Sequence, residues 1–354
     1  MISKEKLNIE WINHVSKTNR NADKILIEKV IRALLLLEGL VQSNLDFVFK
    51  GGTALMLHLN SAKRLSIDID IIIEKISDDL DSILEKVALN QGFNKVELQK
   101  RNSNSNIVKA HYKFFYNPIH KTSKEEEYIL LDILFETVSY EELVNIPIQS
   151  NFLPSDDNNI TVLVPSLEDL LGDKLTAFAP NTTGIPYYKG EDSMSMEIIK
   201  QLYDIGNLFD VCSDLEIIKK TFIKFSETEL AYRQDLNKVS MNVLDDIYQT
   251  SLSICSRGLL GEGNFEELQL GIKRIAGFIF SESFHIDKAI IAASKAAYLS
   301  VLISANSNDI EKFSSPLDIQ DMMIANPELS KLNKLKKSNP EAFFYWYKIN
   351  KLIS

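Results

Sequence analysis

Strand-forming patterns in this chain stop at Pro165, and that boundary constrains the fold more than any other feature. Before it lie short β-rich runs: Leu45 to Phe49, Ser66 to Ile71, a weaker Val96 to Leu98, Ile107 to Tyr116, Glu127 to Glu136, and Ile160 to Val164, halted by Pro165. Alternating apolar and polar positions, rich in β-branched and aromatic residues, make a strand the expectation for most of them. Helices are expected ahead of them, up to about Val41. There Ile25, Leu26, Ile27, Val30 and Ile31 lead into Ala33 to Leu37 at a spacing near 3.6 residues. A further amphipathic helix is expected between Ser77 and Gln91.

After Pro165 the apolar spacing turns helical. Ser166 reads as an N-cap, with Glu168 and Asp169 in the first turn. That helix carries Leu170, Leu171, Lys174, Leu175 and Phe178, and Ala179-Pro180-Asn181 ends it. A polar loop from Thr182 to Asp192 follows, then helical patterns from Met194 to Phe209 and onward to Leu302. Strands first and helices afterwards predict an α+β chain: a mixed-sheet domain over 1–165 with N-terminal helices, then an all-helical domain over 166–354.

Lys+Arg 39 against Asp+Glu 49 gives a net charge of -10. That balance argues against coating nucleic acid nonspecifically but leaves room for a local basic patch. No stretch approaches the ~20 apolar residues that a spanning helix needs, so no membrane partner is expected. The polar start, Met1-Ile2-Ser3-Lys4-Glu5-Lys6, carries no apolar signal region. Two cysteines, Cys212 and Cys255, supply neither a disulfide framework nor a metal cluster, and a reducing, cytoplasmic location is the expectation. His14, His58, His111, His120 and His285 lack metal-ligand spacing, and His58 reads as a packing residue. Gly258 to Gly263 is not a dinucleotide fingerprint, because no strand precedes it.

The chemistry concentrates in Phe49-Lys50-Gly51-Gly52-Thr53-Ala54-Leu55 and in Lys63-Arg64-Leu65-Ser66-Ile67-Asp68-Ile69-Asp70. A glycine pair between a strand and a helix lets the backbone approach a ligand, and the helix start favours an anion such as phosphate. Asp68 and Asp70 are two apart, which on a strand puts both carboxylates on one face. Hard oxygen ligands at that spacing suit Mg²⁺. The alternative is a half-exposed strand with its acids in water. Two-metal phosphoryl transfer calls for a third carboxylate on a neighbouring strand, and Asp132 within Leu130 to Leu134 supplies it. Otherwise Asp132 lies on an exposed edge or pairs with Lys109 or Lys113.

Gly51-Gly52-Thr53 followed by Asp68-Ile69-Asp70 resembles the signature of the DNA polymerase β-like nucleotidyltransferases. The fuller pattern, with Arg64 and Ser66 ahead of the aspartates, resembles the AbiEii/AbiGii-type toxin branch, which includes the AbiE toxins and the MenT transfer-RNA nucleotidyltransferases. The spacer from Gly52 to Asp68 is longer than in the minimal nucleotidyltransferases. The resemblance also implies roles for Lys174, in Asp173 to Ala177, and for Asp204, in Lys200 to Asp204. For Asp204 the plain alternative is a helical ion pair with Lys200.

The resemblance thus implies a polymerase β-like fold and a toxin held in check by an antitoxin. Asp68, Asp70 and Asp132 would hold Mg²⁺, with Mn²⁺ as a substitute. Gly51, Gly52, Thr53, Arg64 and Ser66 would bind the nucleoside triphosphate, Lys174 would neutralise its charge and Asp204 would support Lys174 or the base. The acceptor would be RNA, at the 3′ end of transfer RNA. A small-molecule nucleotidyltransferase and a non-catalytic nucleotide-binding scaffold are the alternatives. At the C-terminus, Lys331, Lys334, Lys336, Lys337, Lys348 and Lys351 surround Phe343-Phe344-Tyr345-Trp346-Tyr347. This segment either stacks an RNA end or is an amphipathic helix with buried rings, the reading that ring burial favours. Lys109, Lys113, Lys121 and Lys124 are the alternative cations for RNA.

Overall fold

The computed structural model describes residues 2, 6–59, 63–99, 108–120, 125–154, 160–235 and 237–353. Of the residues named above, Met1, Ser3, Lys4, Glu5, Ile107, Lys121 and Lys124 lie outside these. The chain divides into two units, Met1–Ser166 with Gly277–Ser283, and Leu167–Ala276 with Phe284–Ser354.

The first unit contains α1 (Ile9–Thr18), α2 (Lys24–Gln42), β1 (Val48–Lys50), α3 (Gly51–His58), β2 (Ile69–Ile72), α4 (Leu80–Gln91), β3 (Lys95–Leu98), β4 (Lys109–Tyr116), β5 (Glu127–Leu134), β6 (Leu143–Pro147) and β7 (Thr161–Pro165). Five strands form one sheet in the order β1-β2-β5-β4-β3. β2 and β5 run parallel and the other neighbours antiparallel, so the sheet is mixed. Asp23 starts α2 by accepting the N–H groups of Ile25 and Leu26. The run Ala33 to Leu37 is buried in one core with Phe114, Tyr116, Ile129, Leu131 and Ile133. Alternate residues of the same strands, His111, Lys113 and Phe115 on β4 and Tyr128, Leu130 and Asp132 on β5, are only partly buried. One face of the sheet therefore carries the core and the other is left more open.

Strand β2 is shorter than the alternation suggests. Ser66, Ile67 and Asp68 lead into it without joining the ladder, and the Thr53 hydroxyl donates to the Asp68 carbonyl at 2.7 Å. Strand β6 has no counterpart in the sequence analysis, because Asn145 and Pro147 interrupt its β-rich pattern. It is held by pairing with β7 in a separate two-stranded sheet.

The second unit contains α5 (Leu167–Ala177), β8 (Tyr188–Lys189), β9 (Asp192–Ser193), α6 (Ser195–Val211), α7 (Leu215–Tyr232), α8 (Ser240–Cys255), α9 (Phe265–Arg274), α10 (Ile286–Ser304), α11 (Leu335–Ser338) and α12 (Pro340–Ile353). It is helical apart from β8–β9, a two-residue ladder within the expected loop. Helix α10 packs against α6, α8 and α12. Small residues allow the close approach: a Cβ on Gly206 of α6 would lie 2.9 Å from the Cβ of Ala292.

The C-terminal rings are core. Phe343, Phe344, Tyr345 and Trp346 are all buried. Tyr345 meets Phe209 edge-on at 5.2 Å and Trp346 meets Tyr248 at 5.7 Å. Lys336 donates to the carbonyls of Gln320 and Met322 at 2.6 and 2.8 Å, and Lys348 pairs with Glu311. This overturns base stacking by these rings. Burying large aromatic surface stabilises the helix more than leaving it in water. No helix among the described residues is long and apolar enough to cross a membrane.

Candidate active site

The turn from β1 into α3 sets the geometry. Gly51 has φ +82°, and a Cβ there would sit 2.2 Å from Oδ2 of Asp70. Only glycine tolerates both the left-handed backbone and that approach. At Gly52 a Cβ would meet Ser66 Oγ at 2.7 Å and Arg64 Nη2 at 2.8 Å. The fold therefore gathers Gly51 with Asp70, and Gly52 with Arg64 and Ser66, at the start of α3. Helix N–H groups, a guanidinium and a hydroxyl in one place suit a phosphate.

Arg64 is buried, so its guanidinium is withdrawn from bulk water. Its strand segment is clamped by Gly277–Ser283: Leu65 N–H donates to Phe278 O at 2.8 Å, Ser281 Oγ donates to Lys63 O at 2.7 Å, and Arg64 bridges Ile279. Thr53 is fully buried and its hydroxyl is committed to Asp68. Its side chain ties the start of α3 to the backbone at Asp68.

The carboxylates follow from strand register. Lys50 lies opposite Asp70, Asp70 beside Asp132, and Asp132 beside His111. Residues so paired share a face, so Asp70 and Asp132 stand side by side on parallel strands. Asp68 is exposed, just ahead of β2. Asp132 does not pair with Lys109 or Lys113; His111 Nδ1 lies 2.6 Å from its Oδ1. Among the described residues no three His, Cys, Asp or Glu side chains are gathered as a metal cluster. The donor chemistry still fits a hard cation: Asp70 and Asp132 present carboxylate oxygens in register. His111, which lacks metal-ligand spacing in the sequence, nevertheless joins Asp132. Its only signal is register against Asp132, which no spacing within one strand reveals.

In the second unit, Lys174 Nζ lies 3.1 Å from Asp204 Oδ2 and donates to Gln201 Oε1 at 2.9 Å. Both members of the ion pair are buried. Asp204 thus meets Lys174, while Lys200 meets Glu197 at 3.9 Å. Helices α5 and α6 pack together and bring the two motif residues into contact.

The sequence matches the family described as nucleotidyl transferase AbiEii toxin, type IV toxin–antitoxin system, over residues 35–288. The chain belongs to the AbiEii toxin family. It is accordingly a nucleotidyltransferase of the toxin–antitoxin kind. The matched span holds Gly51 through Asp70, Asp132, Lys174 and Asp204. No curated protein matches the sequence. Among solved structures, MenT4, a nucleotidyltransferase toxin from Mycobacterium tuberculosis, is similar at 12% identity and TM-score 0.44, over 94% of this chain and 98% of that one. A nucleotidyltransferase structure from Helicobacter pylori is similar at 16% identity and TM-score 0.43, over 85% and 97%.

Proposed function

We propose that this AbiEii-family toxin transfers a nucleotide from a nucleoside triphosphate to an RNA acceptor, the 3′ end of transfer RNA, in a Mg²⁺-dependent reaction that a cognate antitoxin restrains. The observation that carries the reading is the register of Asp70 beside Asp132 under the Gly51–Gly52 turn, with Arg64 and Ser66 against Gly52. Asp70 and Asp132, joined by Asp68, are the residues that would hold Mg²⁺, with Mn²⁺ as a substitute. Bound there, the cation supplies charge neutralisation to the phosphates.

The chain's own residues do the rest by positioning. Backbone N–H groups at the start of α3, with Arg64 and Ser66, orient the triphosphate. Asp132, steadied by His111, accepts the proton of the attacking hydroxyl as pyrophosphate leaves. For Lys174, held by Asp204, the family resemblance implies neutralisation of phosphate charge. The RNA acceptor rests on the resemblance to the transfer-RNA-modifying branch.

The test incubates the protein with total RNA, Mg²⁺ and each labelled nucleoside triphosphate in turn. One RNA size class is expected to gain label, and chelation to remove the signal. Asp70→Asn is expected to lower labelling by about 10²–10³-fold while the folded state persists. Label that stays on RNA at the wild-type rate in Asp70→Asn would sink the site assignment. Label confined to small molecules would sink the acceptor.

A further inference from the structure

The open sheet face continues past Asp132, and there it changes character. Phe115 on β4 lies directly opposite Tyr128 on β5, with ring centroids 5.8 Å apart. Lys95 Nζ of β3 sits 4.4 Å from the Phe115 ring centre, and Lys113 Nζ of β4 sits 4.4 Å from that of Tyr128. Lys95 is also bound to Glu97 at 2.9 Å and meets Glu126 at 3.7 Å, whereas among the described residues Lys113, which faces Glu97 across the β3–β4 ladder, forms no ion pair with a carboxylate. Both rings are partly exposed on the side of the sheet that faces away from Phe114, Tyr116 and Ile129.

Two partly exposed aromatic rings on a sheet face lose solvation-driven stability that burial would provide. Their arrangement nevertheless suits one ligand chemistry. Unpaired bases stack on aromatic faces, and lysines beside them meet the phosphates. Register makes the placement informative. Tyr128 and Asp132 are four residues apart on one strand and on one face, about 13 Å. A strand of RNA whose terminal hydroxyl reaches Asp132 would run its preceding nucleotides over Lys113 and onto the ring pair. Lys113 supplies the cation on this path: among the described residues it forms no ion pair with a carboxylate, whereas Lys95 is held by Glu97 and Glu126.

We infer that Phe115 and Tyr128, with Lys113 beside them and Lys95 steadying the Phe115 ring, form the platform that holds the unpaired 3′ segment of the RNA acceptor. The inference rests on the acceptor reading above and adds the surface that binds it.

The probe is a short single-stranded RNA carrying 2-aminopurine near its 3′ end, mixed with the full-length protein. Stacking on the rings is expected to quench the probe. Phe115→Leu with Tyr128→Leu keeps apolar bulk but removes the stacking faces. The pair is expected to weaken RNA binding about ten- to hundredfold and to abolish the quench. Binding of Mg²⁺–nucleoside triphosphate is expected to stay within twofold. Lys113→Gln, which leaves both rings, is expected to weaken RNA binding and to flatten its salt dependence by about one charge. It also serves if the ring pair proves unfoldable by thermal melting.

RNA affinity unchanged in these variants overturns the platform, whether or not the wild type transfers nucleotides. So does a wild type that does not bind the probe. Variants that lose capture of the antitoxin while keeping RNA affinity overturn it too, and give the face to a protein. A wild type that binds the probe through these rings but labels no RNA upholds the platform and breaks the reading of the reaction instead.

Discussion

Two segments of this chain mix lysines with aromatic rings, and they end in opposite places. In α12 the rings of Phe343, Phe344, Tyr345 and Trp346 turn into the core of the helical unit, while Lys336 of α11 is taken up by carbonyls and Lys348 by Glu311. On β4 and β5 the rings of Phe115 and Tyr128 stay on the more open face, with Lys95 and Lys113 over them. Composition is nearly the same. What differs is how the backbone distributes it. A helix surrounded by other helices can bury consecutive ring positions on several sides. A strand sends neighbours to opposite faces, so Phe114 and Tyr116 go inward and Phe115 must go outward. An aromatic–lysine run is thus a packing device in one unit and a displayed surface in the other.

The comparison can be broken most forcefully at its buried end. Trp346→Ala is expected to destabilise the protein by about 3–5 kcal/mol in urea unfolding, as a deleted core aromatic does. Phe115→Ala, on the open face, is expected to stay below about 1 kcal/mol. If the two costs came out equal, the distinction between packing and display would fall.

Gly51→Ala tests the sheet face next to the rings. The added methyl meets Asp70 Oδ2, and the left-handed backbone is strained, so a loss of about 1–3 kcal/mol is expected. Nucleotide transfer should fall further than that stability loss explains, because the Asp70 carboxylate is displaced. A transfer rate that simply tracks the folded fraction would remove Gly51 from the site.

The smallest effect belongs to the exposed C-terminal lysines. Lys334→Ala with Lys337→Ala should change stability by less than about 0.5 kcal/mol, and RNA labelling by less than twofold. Both side chains are exposed on the surface of a segment whose rings are buried. A tenfold drop in labelling, with a shallower salt slope, would return RNA binding to this segment.

Several outcomes follow from local sequence alone. Period-two patterning marks most strands of the five-stranded sheet, but not β6, and the glycine pair ahead of Asp68 and Asp70 marks the turn where Gly51 needs φ +82°. The change from strand to helix patterns after Pro165 marked the switch to helices that begins with α5. These are short-range constraints: backbone conformation, face alternation and the absence of a Cβ act within a few residues. Other outcomes needed the tertiary structure. His111 joins Asp132 only because β4 and β5 pair in one register, and a shift of one residue would send His111 to the opposite face. Asp204 meets Lys174 because α5 packs on α6. Gly277–Ser283 clamps Lys63 to Leu65 across more than two hundred residues of chain. Each depends on which strand, helix or loop becomes a neighbour, and that is decided by burial summed over the whole unit.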